Sequence, residues 1–277
     1  MNRREKFVGL LFVCLAVLLG GCAAPAAPTP TATAEPTTTP APSSTPSPTP
    51  LPPTPTPTPF QICSPLEDVL LEELDDLEIF KNPLITPVPG TDDGHHGVDF
   101  AYYRWKGREV MLGLPVYAAI SGKVVRILED KFPYGNAVIL ETRLDDLPDE
   151  LQARLAIPAP LDAPIPSTRL VCPAYPTIST ESAERSLYTL YAHFDQLPLV
   201  NPGDEVACGQ QIGVVGTTGY SSQPHLHLEM RVGPAGYPIT SMQHYTTLST
   251  PEELAMYCFW RVSGVFQLVD PMRLLLP

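Results

Sequence analysis

Between Pro25 and Pro59 the chain consists almost entirely of Pro, Thr, Ala and Ser, with no apolar periodicity. Such a tract has nothing to bury and few backbone donors to pair, so it is expected to stay extended and unfolded. Folding is therefore confined to the roughly 210 residues that follow, enough for one domain with a sizeable core. At about 3.1 Å per residue in polyproline II geometry, the tract would reach on the order of 100 Å as a tether.

Upstream of the tract, Arg3, Arg4 and Lys6 precede an apolar or small run from Phe7 to Gly21, the order expected of an export signal over residues 1–21. Its strongly apolar part, Phe7 to Leu19, falls short of the about 20 residues that a membrane span requires. The run ends in Leu19-Gly20-Gly21-Cys22, which resembles the lipobox of bacterial lipoproteins. That resemblance implies lipidation of Cys22, a mature chain beginning there, and residues 22–60 as a lipid-anchored tether on the outer side of the cytoplasmic membrane.

Formal charge is −13, and −15 without residues 1–21, which carry three basic groups and Glu5 (14 Lys and Arg against 29 Asp and Glu). Nucleic acid and anionic lipid are poor partners for so acidic a chain, which leaves the anchor to hold it at the membrane. Cys63, Cys172, Cys208 and Cys258 form no CxxC pair, so a thiolate metal site is not expected. In an exported protein they read as one or two disulfides or as simple buried thiols, and of the three complete pairings that four cysteines allow, Cys63 with Cys258 and Cys172 with Cys208 is the one expected.

Beyond residue 60, Ser64-Pro65-Leu66-Glu67 has the form of a capping box, and Leu66, Val69, Leu70, Leu74 and Leu77 recur near helical spacing, predicting a short helix. From there on, β-branched or aromatic runs alternate with Gly, Pro, Asn and Asp: residues 98–103, 116–128, 137–142, 187–194, 211–215 and 225–232. This pattern predicts an antiparallel all-β domain over residues 61–277, with its core at about 84–232. Two stretches interrupt it, at about 143–186, with a short helix near 149–155, and 233–267, where Thr250-Pro251-Glu252-Glu253 starts another helix.

The six histidines carry the functional signal. His95 and His96 open His-His-Gly-Val-Asp, His193 ends Leu-Tyr-Ala-His, His225 and His227 form His-Leu-His, and His244 stands apart. Imidazoles with one carboxylate, Asp99, suit zinc, and three protein ligands leaving an open position suit a catalytic site. On a strand, 225, 227 and 229 share a face, so one histidine can bind metal while the other meets substrate. His95 and Asp99 would lie about 13 Å apart on a straight strand, so the chain must bend between them, and Gly97 is the residue free to bend. Glu229 either orients a ligand or stands solvated at the strand end. His96 is expected to be a neighbour of the site, Asp92 and Asp93 are expected to solvate their loop, and His244 is expected to be ordinary. Tyr134-Gly135-Asn136 reads as a turn and Gly216 to Gly219 as a loop near the cleft.

His95-His96-Gly97-Val98-Asp99 resembles the HxGxD motif, and Pro224-His225-Leu226-His227-Leu228-Glu229 the HxH motif, of the M23 family of lysostaphin-like, LytM-type peptidases. Between them, Gly122-Lys123-Val124, Tyr134 to Val138, Tyr191-Ala192-His193, Val200 to Gly203, Gly209 to Gly213 and Gly216 to Gly219 are similar to that family in order, and Val269-Asp270-Pro271 resembles its closing strand. The resemblance implies a folded antiparallel sheet of the duplicated hybrid motif type. It implies zinc on His95, Asp99 and His227, with His193 and His225 catalytic. Within that framework His193, which alone would read as a packing residue, takes on a role. The implied activity is zinc-dependent endopeptidase hydrolysis of peptidoglycan stem or cross-bridge peptides. The rivals are a non-catalytic LytM-like domain that activates another cell-wall hydrolase, and a metallopeptidase acting on exported proteins. Domains of the first kind typically lack the metal ligands, whereas this chain has all three ligands and both histidines.

Overall fold

The computed structural model describes residues 60–175 and 184–276. The export signal, Cys22 and the tether lie outside them. Among the described residues no helix is long and apolar enough to cross a membrane.

The strands are β1 (Phe80–Asn82), β2 (Val98–Phe100), β3 (Pro115–Tyr117), β4 (Gly122–Lys131), β5 (Gly135–Arg143), β6 (Arg185–Phe194), β7 (Glu205–Val206), β8 (Gln211–Val214), β9 (Leu226–Pro234) and β10 (Gln267–Val269), with helices α1 (Asp149–Leu155), α2 (Pro251–Arg261) and α3 (Met272–Leu275). The main sheet runs β1-β2-β9-β6-β5-β4-β7, β10 pairs with β9 beyond β2, and β3 pairs with β8 separately. Every named pairing is antiparallel. The all-β antiparallel reading holds.

Alternation sets the two faces. On β9, Leu226, Leu228, Met230 and Val232 enter one core cluster together with Leu187 and Tyr191 of β6. The other face of β6 presents Tyr188, Leu190 and Ala192 to a second cluster built on Tyr257, Phe259 and Trp260 of α2, and on Phe266. Helix α2 begins as predicted, the Thr250 side chain accepting from Glu253 N while the Glu253 side chain accepts from Thr250 N. The 233–267 segment thus closes the second face of the sheet, which leaves β6 buried along nearly its whole length.

Two expectations are corrected. No helix spans 64–77, where a single 3-10 turn occurs at Leu71–Glu73. Upstream of that turn the backbone docks beside β3: Cys63 N donates to Ala119 O (2.9 Å), Tyr117 N to Pro65 O (3.0 Å) and Glu67 N to Pro115 O (3.3 Å). Pairing with a strand edge satisfies those groups in place of helical bonds, while Leu66, Val69 and Leu74 are still buried. The disulfides are Cys63–Cys208 and Cys172–Cys258, with Cα–Cα distances of 5.8 and 5.9 Å, and not the pairing expected from sequence. The same docking brings Cys63 to the 207–210 turn. The first interruption packs against α2 and the residues after it, Ile165 N donating to Ser263 O at 2.7 Å, and this brings Cys172 to Cys258.

Candidate active site

Asp99 of β2 lies directly across from His227 of β9, and Ala192 of β6 flanks His227 on the other side. His227 Nδ1 is 2.8 Å from Asp99 Oδ1. His95 enters from a loop whose backbone exchanges two hydrogen bonds with Ile85. Its Nε2 lies 3.1 Å from Asp99 Oδ1 and 3.2 Å from His227 Nδ1. Three donor atoms from distant parts of the chain thus converge in one small triangle, and these three residues could hold a metal ion.

The set fits a divalent transition metal. Tetrahedral bonds of about 2.0–2.2 Å space ligand atoms about 3.3 Å apart, close to the separations here. Two of these residues are also held from behind: His95 Nδ1 donates to Pro83 O (2.9 Å) and Asn82 Nδ2 donates to Asp99 Oδ2 (2.8 Å). His227 Nε2 is buried without a hydrogen-bond partner, with the Glu229 carboxylate 3.6 Å away. Outer contacts of this kind fix the tautomer and aim the lone pair inward. Burial pushes the Asp99 carboxyl up, but the His227 and His95 contacts outweigh it and hold the group well below the usual carboxylate range.

His193 and His225 stand beside the triangle, their rings 4.5 Å apart, with His193 5.8 Å from His227. Strict alternation along β6 would aim His193 at the apolar core beside Tyr191. Instead the β5–β6 register shifts between Asn136↔Phe194 and Val138↔Tyr191, so that two residues, Ala192 and His193, oppose one. His193 takes φ 65°, and this left-handed bulge turns its imidazole onto the site face. His193 Nδ1 donates to Thr218 O (2.7 Å) and His225 Nδ1 to Gln223 O (2.8 Å), so each ring presents Nε2 as the acceptor. Burial, with His227 and His225 as neighbours, pushes His193 down to about 3, and burial also lowers His225. Both are neutral imidazoles at neutral pH, able to accept a proton.

Gly97 serves the site differently from the expected bend, since its φ is not left-handed. A Cβ there would lie 2.9 Å from the His227 ring and closer still to Leu228 O, so the glycine is needed for the space that the His227 ring occupies. Glu229 is fully buried, which removes the solvated reading. It accepts from Tyr134 OH (2.9 Å), Trp260 Nε1 (2.7 Å) and Arg231 Nε. His96 is buried away from the triangle, its Nδ1 2.6 Å from Arg231 Nη2 and its Nε2 3.0 Å from Asp93 O. Asp92 and Asp93 do not merely solvate the loop: Asp92 accepts from the Tyr245 and Tyr257 hydroxyls, and Asp93 pairs with Arg169. His244 stacks on Tyr257 with centroids 4.9 Å apart.

The site opens into a groove of about 780 Å³ lined by His95, Asp99, His193, His225 and His227 together with Asn82, Phe132, Tyr220, Tyr245, Tyr257 and Arg261, among others. None of the described residues of the 143–186 segment lines it. Asn82, Tyr134 and Arg261 have no functional reading in the sequence. Tyr134 sits in a segment read as a turn, and Arg261 in the last turn of a helix, where a cation is ordinary.

The model of Peptidase family M23 matches residues 176–240. That span contains His193, His225 and His227, while His95 and Asp99 lie outside it. The chain is similar to the peptidoglycan DD-endopeptidase ShyB of Vibrio cholerae, 29% identical over 148 residues, which are 53% of this chain and 22% of that protein. The chain thus spans about a fifth of this curated relative. Among solved structures it is similar to the catalytic domain of lysostaphin from Staphylococcus simulans (23% identity, 56% of this chain and 79% of that one, TM-score 0.31). It is also similar to a zinc-containing peptidase from Vibrio cholerae (26% identity, 55% and 31%, TM-score 0.29).

Proposed function

We propose that this chain is a zinc-dependent endopeptidase that hydrolyses stem or cross-bridge peptides of peptidoglycan outside the cytoplasmic membrane, anchored by a lipid on Cys22. In this reading His95, Asp99 and His227 hold zinc, and His193 and His225 act on the substrate. The observation that carries it is the pairing of a three-residue triangle with two neutral imidazoles, neither of which makes a hydrogen bond at Nε2, that of His225 lying 3.6 Å from Asp99 Oδ1. A non-catalytic binding domain has no use for that pair. The peptidoglycan substrate is supported by the likeness to a DD-endopeptidase.

Bound zinc would polarise the scissile carbonyl and lower the pKa of the attacking water. One of the two imidazoles takes the water's proton at Nε2 and returns it to the leaving amine, while the other stabilises the developing oxyanion only in its protonated form, which donates an N–H from Nε2. The carbonyls of Thr218 and Gln223 hold the proton of each neutral ring on Nδ1, which turns the Nε2 lone pair toward the site as the proton-taking role requires.

The test is to measure bound zinc and hydrolysis of purified cell wall and of casein, for the wild type, His227→Ala and His193→Ala. The first substitution lowers metal content, the second keeps metal and abolishes turnover, and cell wall is cleaved in preference to casein. Full turnover in both variants, or a wild type without zinc, overturns the reading.

A further inference from the structure

Arg261 is the one Arg or Lys among the described residues that line the groove. It comes from α2, on the segment that follows the HxH strand. Its guanidinium is fixed by aromatic faces, lying 5.8 Å from the Tyr134 ring centroid and 5.5 Å from that of Tyr257. Yet its donors are almost unused. Nη1 reaches the Tyr134 hydroxyl at 3.3 Å, the one hydrogen bond of its side chain among the described residues, and Nε is buried with no partner. No carboxylate among the described residues forms an ion pair with it, whereas Arg231 on β9 is held by Glu229.

A guanidinium carries five N–H donors in a planar fork, and buried donors without acceptors are costly. The acceptor that suits such a fork is a carboxylate, bound through two parallel hydrogen bonds. Asp92 stands on the same wall, but its Oδ2 already accepts two tyrosine hydroxyls. The position relative to the metal triangle is close. The Tyr134 hydroxyl that accepts from Arg261 donates in turn to Glu229 Oε2 (2.9 Å), which faces His227 at 3.6 Å. In a chain of net charge −13, an acidic ligand needs a local cation to enter the groove, and Arg261 supplies it.

We propose that Arg261 binds a free carboxylate of the peptide substrate close to the bond to be cleaved. This rests on the metallopeptidase reading and narrows it: the substrate class is a peptide bearing a carboxylate at its C-terminus or on a nearby residue, and not a neutral bridge alone. Tyr134 and Tyr257 hold the fork in place, so that the carboxylate fixes the register of the peptide across the triangle.

The test is calorimetric binding to the zinc-loaded full chain carrying His193→Ala, which separates binding from turnover. The probes are an N-acetylated stem pentapeptide ending in D-alanyl-D-alanine, its C-terminal amide, and the peptide amidated at the α-carboxylate of its γ-linked glutamate. One amidation weakens binding tenfold or more and identifies which carboxylate is held. Arg261→Met erases the difference and Arg261→Lys keeps part of it. Three peptides bound within twofold of each other, no measurable binding of the free acid, or a preference that survives Arg261→Met overturns the proposal. The comparison of acid with amide needs no change at Arg261, so it decides even if Arg261→Met does not fold. The metallopeptidase reading fails separately, through missing zinc or missing turnover in the wild type.

Discussion

Glu229 Oε2 lies 3.6 Å from His227 Nε2, on the opposite side of the ring from the Nδ1 that meets Asp99. A single buried carboxylate therefore stands behind a proposed metal ligand while it neutralises Arg231 and accepts from Trp260 and Tyr134. Burial alone would raise its pKa, yet Arg231 and His227 hold the group well below the usual range, so it is ionised.

Glu229→Gln keeps the volume and removes the charge. Arg231 is then buried without its counterion, which costs about 3–5 kcal/mol. The weakened hold on His227 lowers zinc affinity about 10–100-fold. Urea unfolding and competition with a chelating dye measure the two effects, and a variant with wild-type zinc affinity would show that Glu229 supports the fold alone.

Gly97→Ala tests whether the glycine provides space. Its Cβ would sit 2.9 Å from the His227 ring, so the ring must shift. We expect a loss of about 1–3 kcal/mol, as for other overpacked sites, with weakened zinc binding. Gly107→Ala meets nothing within 4 Å, so although its φ of 86° strains the backbone and costs stability, it should leave zinc affinity unchanged. Equal affinities in the two variants would restore the bend as the reason for Gly97.

What the sequence discloses follows local rules. The period of two on β9 sets His227 and Glu229 on one face, and the Thr250 capping box marks the start of α2. What it hides depends on tertiary partners. The helical spacing at 64–77 yields to the edge of β3, which only the folded sheet presents. The disulfide pairing depends on which turns pack together. Asn82 and Arg261 belong to no pattern, and each enters the site only through what it faces. His193 is singled out through resemblance, but the left-handed bulge that aims it leaves no trace in a sequence that shows a histidine where glycine would be easiest.

The Cys172–Cys258 bridge ties the first interruption to α2, closing an 86-residue separation. Replacing both cysteines by serine should cost about 2–4 kcal/mol, read as a lower thermal midpoint. None of the three proposed metal ligands is on either segment, so zinc stoichiometry should be retained. Loss of zinc in that variant would mean that α2 is needed to hold the triangle together.

The bulge at His193 separates the backbone role of that position from its chemistry. A side chain with φ 65° is strained by contact between Cβ and the backbone, a cost of roughly 1–2 kcal/mol that glycine escapes. His193→Ala and His193→Gly both lose the imidazole and its bond to Thr218 O, so those losses cancel when the two variants are compared. The glycine form should then be the more stable in urea by about 1 kcal/mol, part of the relief being offset by the greater freedom of its unfolded chain. Both should bind zinc, because His95, Asp99 and His227 are untouched, and neither should turn over. If alanine were the more stable, the left-handed backbone would not be the strained element. Such strain sits where the imidazole is useful, and it persists because β5, β6 and Tyr134 O, which accepts from His193 N at 3.0 Å, hold the bulge on both sides.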